Sequence, residues 1–277
     1  MRIGVVAPAR TVSRESSLRV AGFMALTYPE HDIVFHPQCY LEEGHFAGSD
    51  AVRAAAFLEF ANDPGFDAIW FARGGYGSNR ILHEVMPKLN ASAGHKTYAG
   101  FSDMGFLLGA LYARRIGRSV HASMASSLGR NDPGDATAWA LGWLIDKDRR
   151  GLDPSLADGR PAAAFNLSIL DALIGTPWLP DLTDHVLMIE EVGEPLYRID
   201  RMLFTMAHAT QLQGIAGVRL GKVTAITDNG EQEGSYSFGE TVEQMIVRWC
   251  REMGVPYLGA AEIGHVKLNR VVPFGIF

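Results

Sequence analysis

Cysteine is scarce in this 277-residue chain, which contains only Cys39 and Cys250. The two lie in opposite halves of the sequence and form no C-x-x-C pair. The sequence therefore predicts neither a disulfide framework nor a zinc ribbon, and we interpret both residues as ordinary thiols.

Positive charge is also in short supply. The chain has 25 Lys and Arg residues against 31 Asp and Glu residues, which gives a formal net charge of −6. The longest basic runs are the Arg-Arg pairs at 114–115 and 149–150. Because binding to phosphate backbones requires clustered cations, we expect no nucleic-acid partner.

Long hydrophobic runs are missing too. The longest charge-free run, residues 202–218, contains Thr205, His208 and Gln211 and is too polar for the about 20 apolar residues of a membrane span. The apolar stretch 3–9 is short and contains Pro8, so we interpret it as a buried first strand rather than a signal peptide. These features predict a cytoplasmic protein with no membrane partner.

Short apolar runs alternate with helical stretches over the first half of the chain. This is the βαβ rhythm of a parallel sheet covered on both faces, so the sequence predicts a doubly wound α/β fold. A Ser or Asp opens each helical stretch and is suited to capping it. The predicted strands are 2–7, 32–36, 67–71, 97–101 and 118–122, and the predicted helices include 16–28, 50–62 and 103–115.

The composition changes after Asp146. Residues 146–161 are charged, punctuated by Gly and Pro, and without apolar periodicity, which predicts a linker. We therefore divide the chain into a domain at 1–145, a linker at 146–161 and a second domain at 162–277. In the second domain the patterns predict helices at 167–175 and 199–208, a strand at 185–190 and an irregular C-terminal tail.

A glycine-rich segment at residues 73–80 follows one predicted strand and opens a helix. A nucleotide site is disfavoured, because Arg80 replaces the third glycine of the dinucleotide fingerprint and no ribose-binding acid follows. Two interpretations stay open at this point. The glycines either form a tight turn or present backbone N–H groups to an oxyanion.

A second strand-to-helix junction spans residues 97–105. Gly100 and Gly105 bracket Ser102 where the strand ends, as in a nucleophile elbow, although the usual G-x-S-x-G spacing is one residue shorter. Ser102 is therefore a candidate nucleophile. An N-cap serine is the structural alternative.

A serine nucleophile requires a histidine base and an orienting carboxylate. The predicted strand 185–190 ends in three acidic residues, Glu190, Glu191 and Glu194, and His265 follows a glycine near the C-terminus. A solvated acidic turn and a structural histidine are the alternatives. No H-E-x-x-H or comparable spacing occurs, so we expect neither a metal nor an organic cofactor.

Taken together, these segments resemble the LD-carboxypeptidase family of serine peptidases, which also includes the microcin-immunity peptidases. The resemblance runs nearly end to end and rests on an ordered set of motifs: Val5-Val6-Ala7-Pro8, Arg73-Gly74-Gly75-Tyr76-Gly77, Gly100-Phe101-Ser102-Asp103, Asn166-Leu167-Ser168, Ile189-Glu190-Glu191-Val192-Gly193-Glu194, and Gly264-His265 ahead of Pro273-Phe274-Gly275.

The resemblance implies a catalytic triad in which Ser102 is the nucleophile, His265 the general base and Glu190 the residue that orients the imidazole. It also implies an oxyanion hole built from backbone N–H groups of Gly74, Gly75 and Asp103. The implied fold is a flavodoxin-like parallel-sheet domain that carries Ser102, joined to a smaller β-rich domain that carries Glu190 and His265.

The implied activity is hydrolysis of a peptide bond between an L- and a D-residue through an acyl-enzyme. The family's substrate is typically a murein tetrapeptide, which loses its terminal D-alanine during cell-wall recycling in the cytoplasm. The family also implies a homodimer. Three alternatives stay open: an immunity-type peptidase acting on a peptidyl-nucleotide antibiotic, a non-catalytic peptide-binding relative and, more weakly, a nucleotide-dependent oxidoreductase.

The chain departs from the family pattern at three places: Gly105, Ala122-Ser123 and Ala164-Phe165. We expect Phe165 to narrow a substrate subsite because a glycine is usual there. Trp178, which is near in sequence, is predicted to stack on part of the substrate. Arg80 or a helix N-terminus is predicted to hold an anionic group of the murein peptide.

Overall fold

The first half of the chain forms a parallel sheet in the computed structural model, which describes residues 1–129, 133–226 and 237–276. The strand order β2-β1-β3-β4-β5 is that of a flavodoxin-like fold. All five predicted strands are present to within one residue at either end: β1 (Arg2–Val6), β2 (Asp32–Phe35), β3 (Ala68–Phe71), β4 (Thr97–Gly100) and β5 (Arg118–His121).

Helices cover this sheet, and the first two of them begin at serines that cap a free N–H group. Ser13 accepts a hydrogen bond from the backbone of Ser16, and Ser49 from that of Val52, so the caps precede the positions expected from the sequence. The helices are α1 (Arg14–Thr27), α2 (Asp50–Asn62), α3 (Leu82–Val85), α4 (Gly105–Ala113) and α5 (Asp135–Asp146).

A second sheet forms in the second half, in the order β6-β7-β8-β9 with all neighbours parallel. Together the two sheets confirm the predicted α/β class. The elements are β6 (Ala162–Asn166), α6 (Leu167–Leu173), β7 (Val186–Val192), α7 (Leu196–His208), β8 (Gly217–Thr224), α8 (Val242–Met253) and β9 (Tyr257–Ala260).

The two sheets are joined by more than the connecting chain. The short strand β10 (Val272–Pro273) returns from the C-terminal half and pairs antiparallel with β5 at the edge of the first sheet. Buried apolar residues also pack between the halves, with Phe165 of β6 and Leu107 of α4 in one continuous cluster. Side chains from both halves are therefore held at a fixed separation.

The stretch proposed as a linker, residues 146–161, contains two 3-10 turns and packs against the C-terminal segment. Leu152 pairs with Val271, and a side-chain oxygen of the buried Asp153 accepts the backbone N–H of Glu262 at 2.6 Å. The domain division itself stays a prediction.

The carboxyl ends of β1, β3, β4 and β5 all open onto one edge of the first sheet. In open α/β sheets ligands bind at this edge, beside the point where the strand order reverses. Here that point lies between β1 and β3. The segment after β1, the glycine-rich turn after β3 and Ser102 after β4 therefore meet there.

Candidate active site

Ser102 occupies a sharp turn between β4 and α4. Its φ is +59°, a left-handed conformation that costs a non-glycine residue about 1–3 kcal/mol and persists only where packing imposes it. The strand before the turn is closely packed, because a Cβ at Gly100 would lie 2.9 Å from Cδ2 of Phe71. Strain at an elbow of this kind exposes the serine hydroxyl.

His265 reaches Ser102 from the loop after β9. Its Nε2 lies 3.1 Å from Ser102 Oγ, and its ring packs 4.8 Å from the ring of Phe101, centroid to centroid. Gly264 precedes it at φ +133°, a conformation that favours glycine, and donates its N–H to Oδ1 of Asn269 at 2.9 Å.

Glu190 lies on β7 and is completely buried. Its Oε2 is 2.8 Å from Nδ1 of His265. Because an ionised carboxylate only accepts hydrogen bonds, this contact assigns the ring hydrogen to Nδ1 and leaves Nε2 to accept the hydroxyl of Ser102. The three side chains therefore form one continuous line of hydrogen bonds.

Glu191, the neighbouring acid, points elsewhere. Its side chain accepts hydrogen bonds from Nδ2 of Asn166 and from the backbone N–H groups of Ser168 and Val192. Neighbouring residues on a strand face opposite sides, so only one of the two acids can reach the imidazole. Burial raises the pKa of Glu191 despite these donors.

Two opposing effects act on the pKa of His265. Burial lowers it, but the hydrogen bond to Glu190 and the negative charges of Glu190 and Glu191 together raise it by more, so the net pKa lies above the usual 6.5. The imidazole is thus a stronger base than a free histidine. It is also protonated over a wider range of pH.

Gly74 and Gly75 line the same cleft as Ser102. A Cβ at Gly74 would be 3.2 Å from Ser102 Oγ, so the backbone of the turn approaches the hydroxyl as closely as a glycine allows. Gly75 has φ +117°. Such a turn aims backbone N–H groups in a direction that a larger residue would block.

Asp103 ties this turn to the serine elbow. Its carboxylate accepts the backbone N–H groups of Gly77 at 3.2 Å and Ser78 at 2.9 Å, and its carbonyl accepts the hydroxyl of Ser78 at 2.6 Å. The expectation that Asp103 caps its own helix is wrong. Its side chain caps the helical turn of the other junction instead.

Sequence patterns missed the pair His121 and Asn269. His121 is buried at the end of β5, and its Nε2 is 3.0 Å from the same Asn269 Oδ1 that holds Gly264. Burial lowers the pKa of His121, which favours the neutral ring. The two residues are 148 positions apart in sequence, so no local signal links them.

The structure does not bring the three predicted substrate-binding side chains to Ser102. Arg80 pairs with Asp50 and lies over the ring of Phe46. Trp178 is 9% exposed and packs against His83 and Arg114, beside a separate cavity.

Phe165 is 1% exposed and offers no surface to a ligand. Its ring lies 3.5 Å from a Cβ placed at Gly105 and 3.3 Å from one placed at Gly109. Two of the departures from the family pattern, Gly105 and Phe165, therefore touch each other. We interpret them as one packing change in which a large ring fills the space above a glycine-lined helix.

An open cleft of about 300 Å³ lies in front of Ser102. Its lining combines the glycine-rich turn, the serine elbow and the His265 loop with two arginines: Arg10, Arg73, Gly74, Gly75, Phe101, Ser102, Met124, Ser126, Ser127, Val192 and His265. A larger cavity of about 440 Å³, beside Arg118 and Lys147 where β5 begins, contains none of the predicted site residues.

No group of three or more His, Cys, Asp or Glu side chains is arranged to hold a metal ion within residues 1–129, 133–226 and 237–276. No helix in those ranges is both long and apolar enough to cross a membrane.

Comparison with known proteins gives matches along nearly the whole chain. Residues 3–122 match the model of the LD-carboxypeptidase N-terminal domain, and residues 162–277 match that of the LD-carboxypeptidase C-terminal domain. A putative carboxypeptidase of Streptomyces coelicolor is 32% identical, with 99% of this chain and 88% of the relative covered.

Two further proteins are informative. The murein tetrapeptide carboxypeptidase of Pseudomonas aeruginosa is 25% identical, with 99% of this chain and 91% of the relative covered. The structure of the microcin C7 self-immunity protein MccF in complex with aspartyl sulfamoyl adenosine superposes with a TM-score of 0.79 at 17% identity, covering 99% of this chain and 91% of that one. The second match concerns the fold alone.

Proposed function

The chain belongs to the LD-carboxypeptidase family, and on that premise we propose that it is a serine carboxypeptidase that cleaves the bond between an L- and a D-configured residue. The substrate in this proposal is a murein tetrapeptide, which loses its terminal D-alanine during cell-wall recycling. One observation carries the proposal: Ser102 Oγ, His265 and Glu190 form an unbroken line of hydrogen bonds in a cleft.

The proposed reaction starts with attack of Ser102 Oγ on the scissile carbonyl carbon while Nε2 of His265 takes the hydroxyl proton. Glu190 holds the Nδ1–H and stabilises the imidazolium. The imidazolium then passes its proton to the departing amine of D-alanine as the C–N bond breaks, which leaves an acyl-enzyme. Water then attacks the ester while the same nitrogen takes its proton, and as the ester C–O bond breaks the imidazolium returns that proton to Ser102 Oγ and the shortened peptide leaves.

The negative charge of each tetrahedral intermediate requires hydrogen-bond donors. In the proposal these are the backbone N–H groups of Gly74, Gly75 and Asp103. The close approach of Gly74 to Ser102 Oγ and the link between Asp103 and the turn support that role. Such a donor is typically worth about 2.7–4 kcal/mol in the transition state.

The test is hydrolysis of L-Ala-γ-D-Glu-meso-diaminopimelate-D-Ala, followed by mass spectrometry of the tripeptide product. We expect the wild-type protein to release D-alanine and Ser102→Ala to lose at least about 10⁴-fold in kcat. The matched control is Ser92→Ala, which removes a hydroxyl from a surface turn far from the cleft. Activity retained by Ser102→Ala would remove the nucleophile assignment.

A peptidyl-nucleotide mimic belongs in the same assay as the competing substrate. The immunity-type peptidases are expected to act on such molecules, and the same triad would serve. Faster turnover of the mimic than of the tetrapeptide would replace the murein assignment while leaving the serine mechanism in place.

The proposal includes a cytoplasmic location and a homodimer, both implied by the family resemblance. It also assigns Ser102 to a domain at 1–145 and the acid–base pair to a domain at 162–277. Light scattering of the purified protein tests the dimer. Limited proteolysis across 146–161 tests the division.

A further inference from the structure

The cleft in front of Ser102 is positively charged, although the chain as a whole carries −6. Among the described residues that line it are two arginines, Arg10 and Arg73, and no carboxylate. A cleft lined by one sign of charge concentrates ligands of the opposite sign.

Arg10 differs from the other arginines around this edge of the sheet. Arg53 contacts Asp50 as well as backbone carbonyls, Arg80 pairs with Asp50, and Arg73 donates to the carbonyl of Thr11 at 3.1 Å. The guanidinium of Arg10 has no hydrogen-bond or ion-pair partner within the described residues, and its side chain is exposed in the cleft.

The backbone on both sides of Arg10 is held against the glycine-rich turn. The buried guanidinium of Arg53 donates to the carbonyls of Pro8 and Gly77, the second at 2.8 Å. On the other side, Arg73 holds Thr11. Arg10 therefore starts from a fixed position between two anchors, so ordering its backbone adds no cost when a ligand binds.

The side chain of Arg10 runs directly over Gly75. A Cβ at Gly75 would contact Cδ of Arg10 and lie 2.7 Å from its Cγ, so the absent side chain at residue 75 makes room for the arginine stem. The next residue back, Gly74, is the one that touches the nucleophile. The stem of Arg10 thus covers Gly75, the residue that follows the one closest to the reacting hydroxyl.

We infer that Arg10 binds the terminal carboxylate of the peptide that is cleaved, and this inference rests on the proposed function. In a peptide that loses its last residue, the terminal carboxylate carbon is three bonds from the scissile carbonyl carbon, less than about 4 Å away. The carbonyl itself must sit about 3–3.5 Å from Ser102 Oγ to react. The anion therefore falls near the turn over which Arg10 lies.

Recognition of a free terminal carboxylate is what separates a carboxypeptidase from a peptidase that cuts within a chain. A guanidinium presents two parallel N–H groups that match the two oxygens of a carboxylate, whereas an internal peptide bond or an amide offers no such anion. Arg10 accordingly selects substrates with a free C-terminus. Its effect is on binding and specificity, since it is not one of the groups that exchange protons with Ser102.

The kinetic test uses the tetrapeptide in three forms: the free acid, the D-alanine amide and a form amidated on the side-chain carboxylate of diaminopimelate. With the free acid we expect Arg10→Gln to reduce kcat/KM by about 10- to 100-fold, chiefly through KM. With the D-alanine amide the variant should stay within about two-fold of wild type. Arg10→Lys should recover part of the loss, because it restores the charge without the paired donors.

The matched control is Arg251→Gln, which removes the same charge from the exposed last turn of α8. It should behave as wild type with all three peptides. Equal losses by Arg10→Gln on the free acid and the D-alanine amide would overturn the inference. So would an effect that disappears only with the diaminopimelate amide, because Arg10 would then bind a different carboxylate.

A binding measurement separates this inference from the reaction. Calorimetry of the Ser102→Ala protein, with and without Arg10→Gln, should give tighter binding of the free acid than of the D-alanine amide only when Arg10 is present. If this preference is found but the wild-type enzyme cleaves none of the peptides, the proposed reaction fails and the Arg10 site stands. If the Ser102→Ala protein shows no preference, the Arg10 site is rejected.

Discussion

The turn that carries Ser102, residues 100–105, and the loop that carries His265, residues 261–270, meet at one hydrogen bond but are built differently. The serine turn is positioned by close packing between regular elements: a strained φ at Ser102, a glycine whose Cβ would clash with Phe71 of β3, and a helix that starts at once. The histidine loop has no regular secondary structure.

Side chains distant in sequence hold the histidine loop instead. His121 bonds to Asn269, the loop residue that accepts the N–H of Gly264, and Asp153 accepts the N–H of Glu262. Ser102 is therefore held on a tight turn between a strand and a helix, whereas the position of His265 depends on hydrogen bonds within and to an irregular loop. The two regions should respond differently to mutation.

The largest effect is expected for Glu190→Gln. The amide cannot stabilise the imidazolium, and loss of a triad carboxylate typically costs about 10⁴-fold in kcat. The charge of Glu190 raises the pKa of His265, so its removal should lower that pKa. The base must be neutral, so kcat/KM of the wild-type enzyme should rise with pH through the raised pKa, and the residual activity of the variant should begin at lower pH.

Glu191→Gln is the matched control for that profile. It changes an acid of the same strand that bonds to Asn166 and Ser168 and not to His265. Stability should fall, and the pH at which activity rises should move down by less than in Glu190→Gln, because Glu191 raises the pKa of His265 through its charge alone and makes no hydrogen bond to it. A larger shift of the pH profile in Glu191→Gln than in Glu190→Gln would instead show that Glu191 orients the imidazole.

A smaller loss, about 10²-fold in kcat, is expected for Gly74→Ala, which tests how closely the glycine-rich turn packs against Ser102. The added methyl would lie 3.2 Å from Ser102 Oγ, in the space where the attacked carbonyl has to sit. Gly94→Ala is the control, because no atom lies within 4 Å of a Cβ there. Steady-state kinetics with unchanged circular dichroism would distinguish crowding from unfolding, and unchanged kcat would show that the turn does not face the reaction.

Asn269→Ala tests the hydrogen bonds that hold the histidine loop, and it should reduce kcat/KM by about 10-fold. It removes the acceptor shared by Gly264 and His121, and leaving such buried donors unpaired typically costs about 1–3 kcal/mol of stability. Chemical denaturation measures the second effect. Full activity combined with a stability loss would mean that the histidine loop is held without Asn269.

The smallest effect on catalysis is expected for Phe165→Leu. The ring is buried against Gly105 and Gly109, so the change should lower the free energy of unfolding by about 1 kcal/mol and leave KM unchanged for short and long murein peptides. A changed KM for long peptides alone would restore the idea that Phe165 shapes a subsite.

Much of the first half of the fold was predictable because its strands and helices follow from local sequence patterns. Five apolar runs separated by helical stretches indicated a parallel sheet, and all five strands form within a residue of their predicted ends. The positions of Ser102 and the glycine-rich turn followed from the same rule, since loops at the carboxyl ends of parallel strands share one edge.

The support of the site was not predictable. Asp103 looks like a helix cap in sequence but holds the Gly77–Ser78 backbone, and Arg80 and Trp178 look available for substrate but are engaged elsewhere. Side-chain pairs of this kind depend on which loops are brought together. Their partners lie 25 or more residues apart in most cases.

The sequence by itself determined the five strands of the first sheet and the helices α1, α2 and α4 between them, the two strand-to-helix junctions and, through its ordered motifs, the family. Hydrophobic periodicity and glycine placement act over a few residues and can be seen in the chain. The motifs pointed to Glu190, but only the tertiary structure decided what Glu191 bonds to instead, that Phe165 fills a core and that Arg10 lies over Gly75 with no partner among the described residues. The physical reason is that hydrogen bonds, burial and uncompensated charge are properties of neighbours in space, which the folded chain draws from distant parts of the sequence.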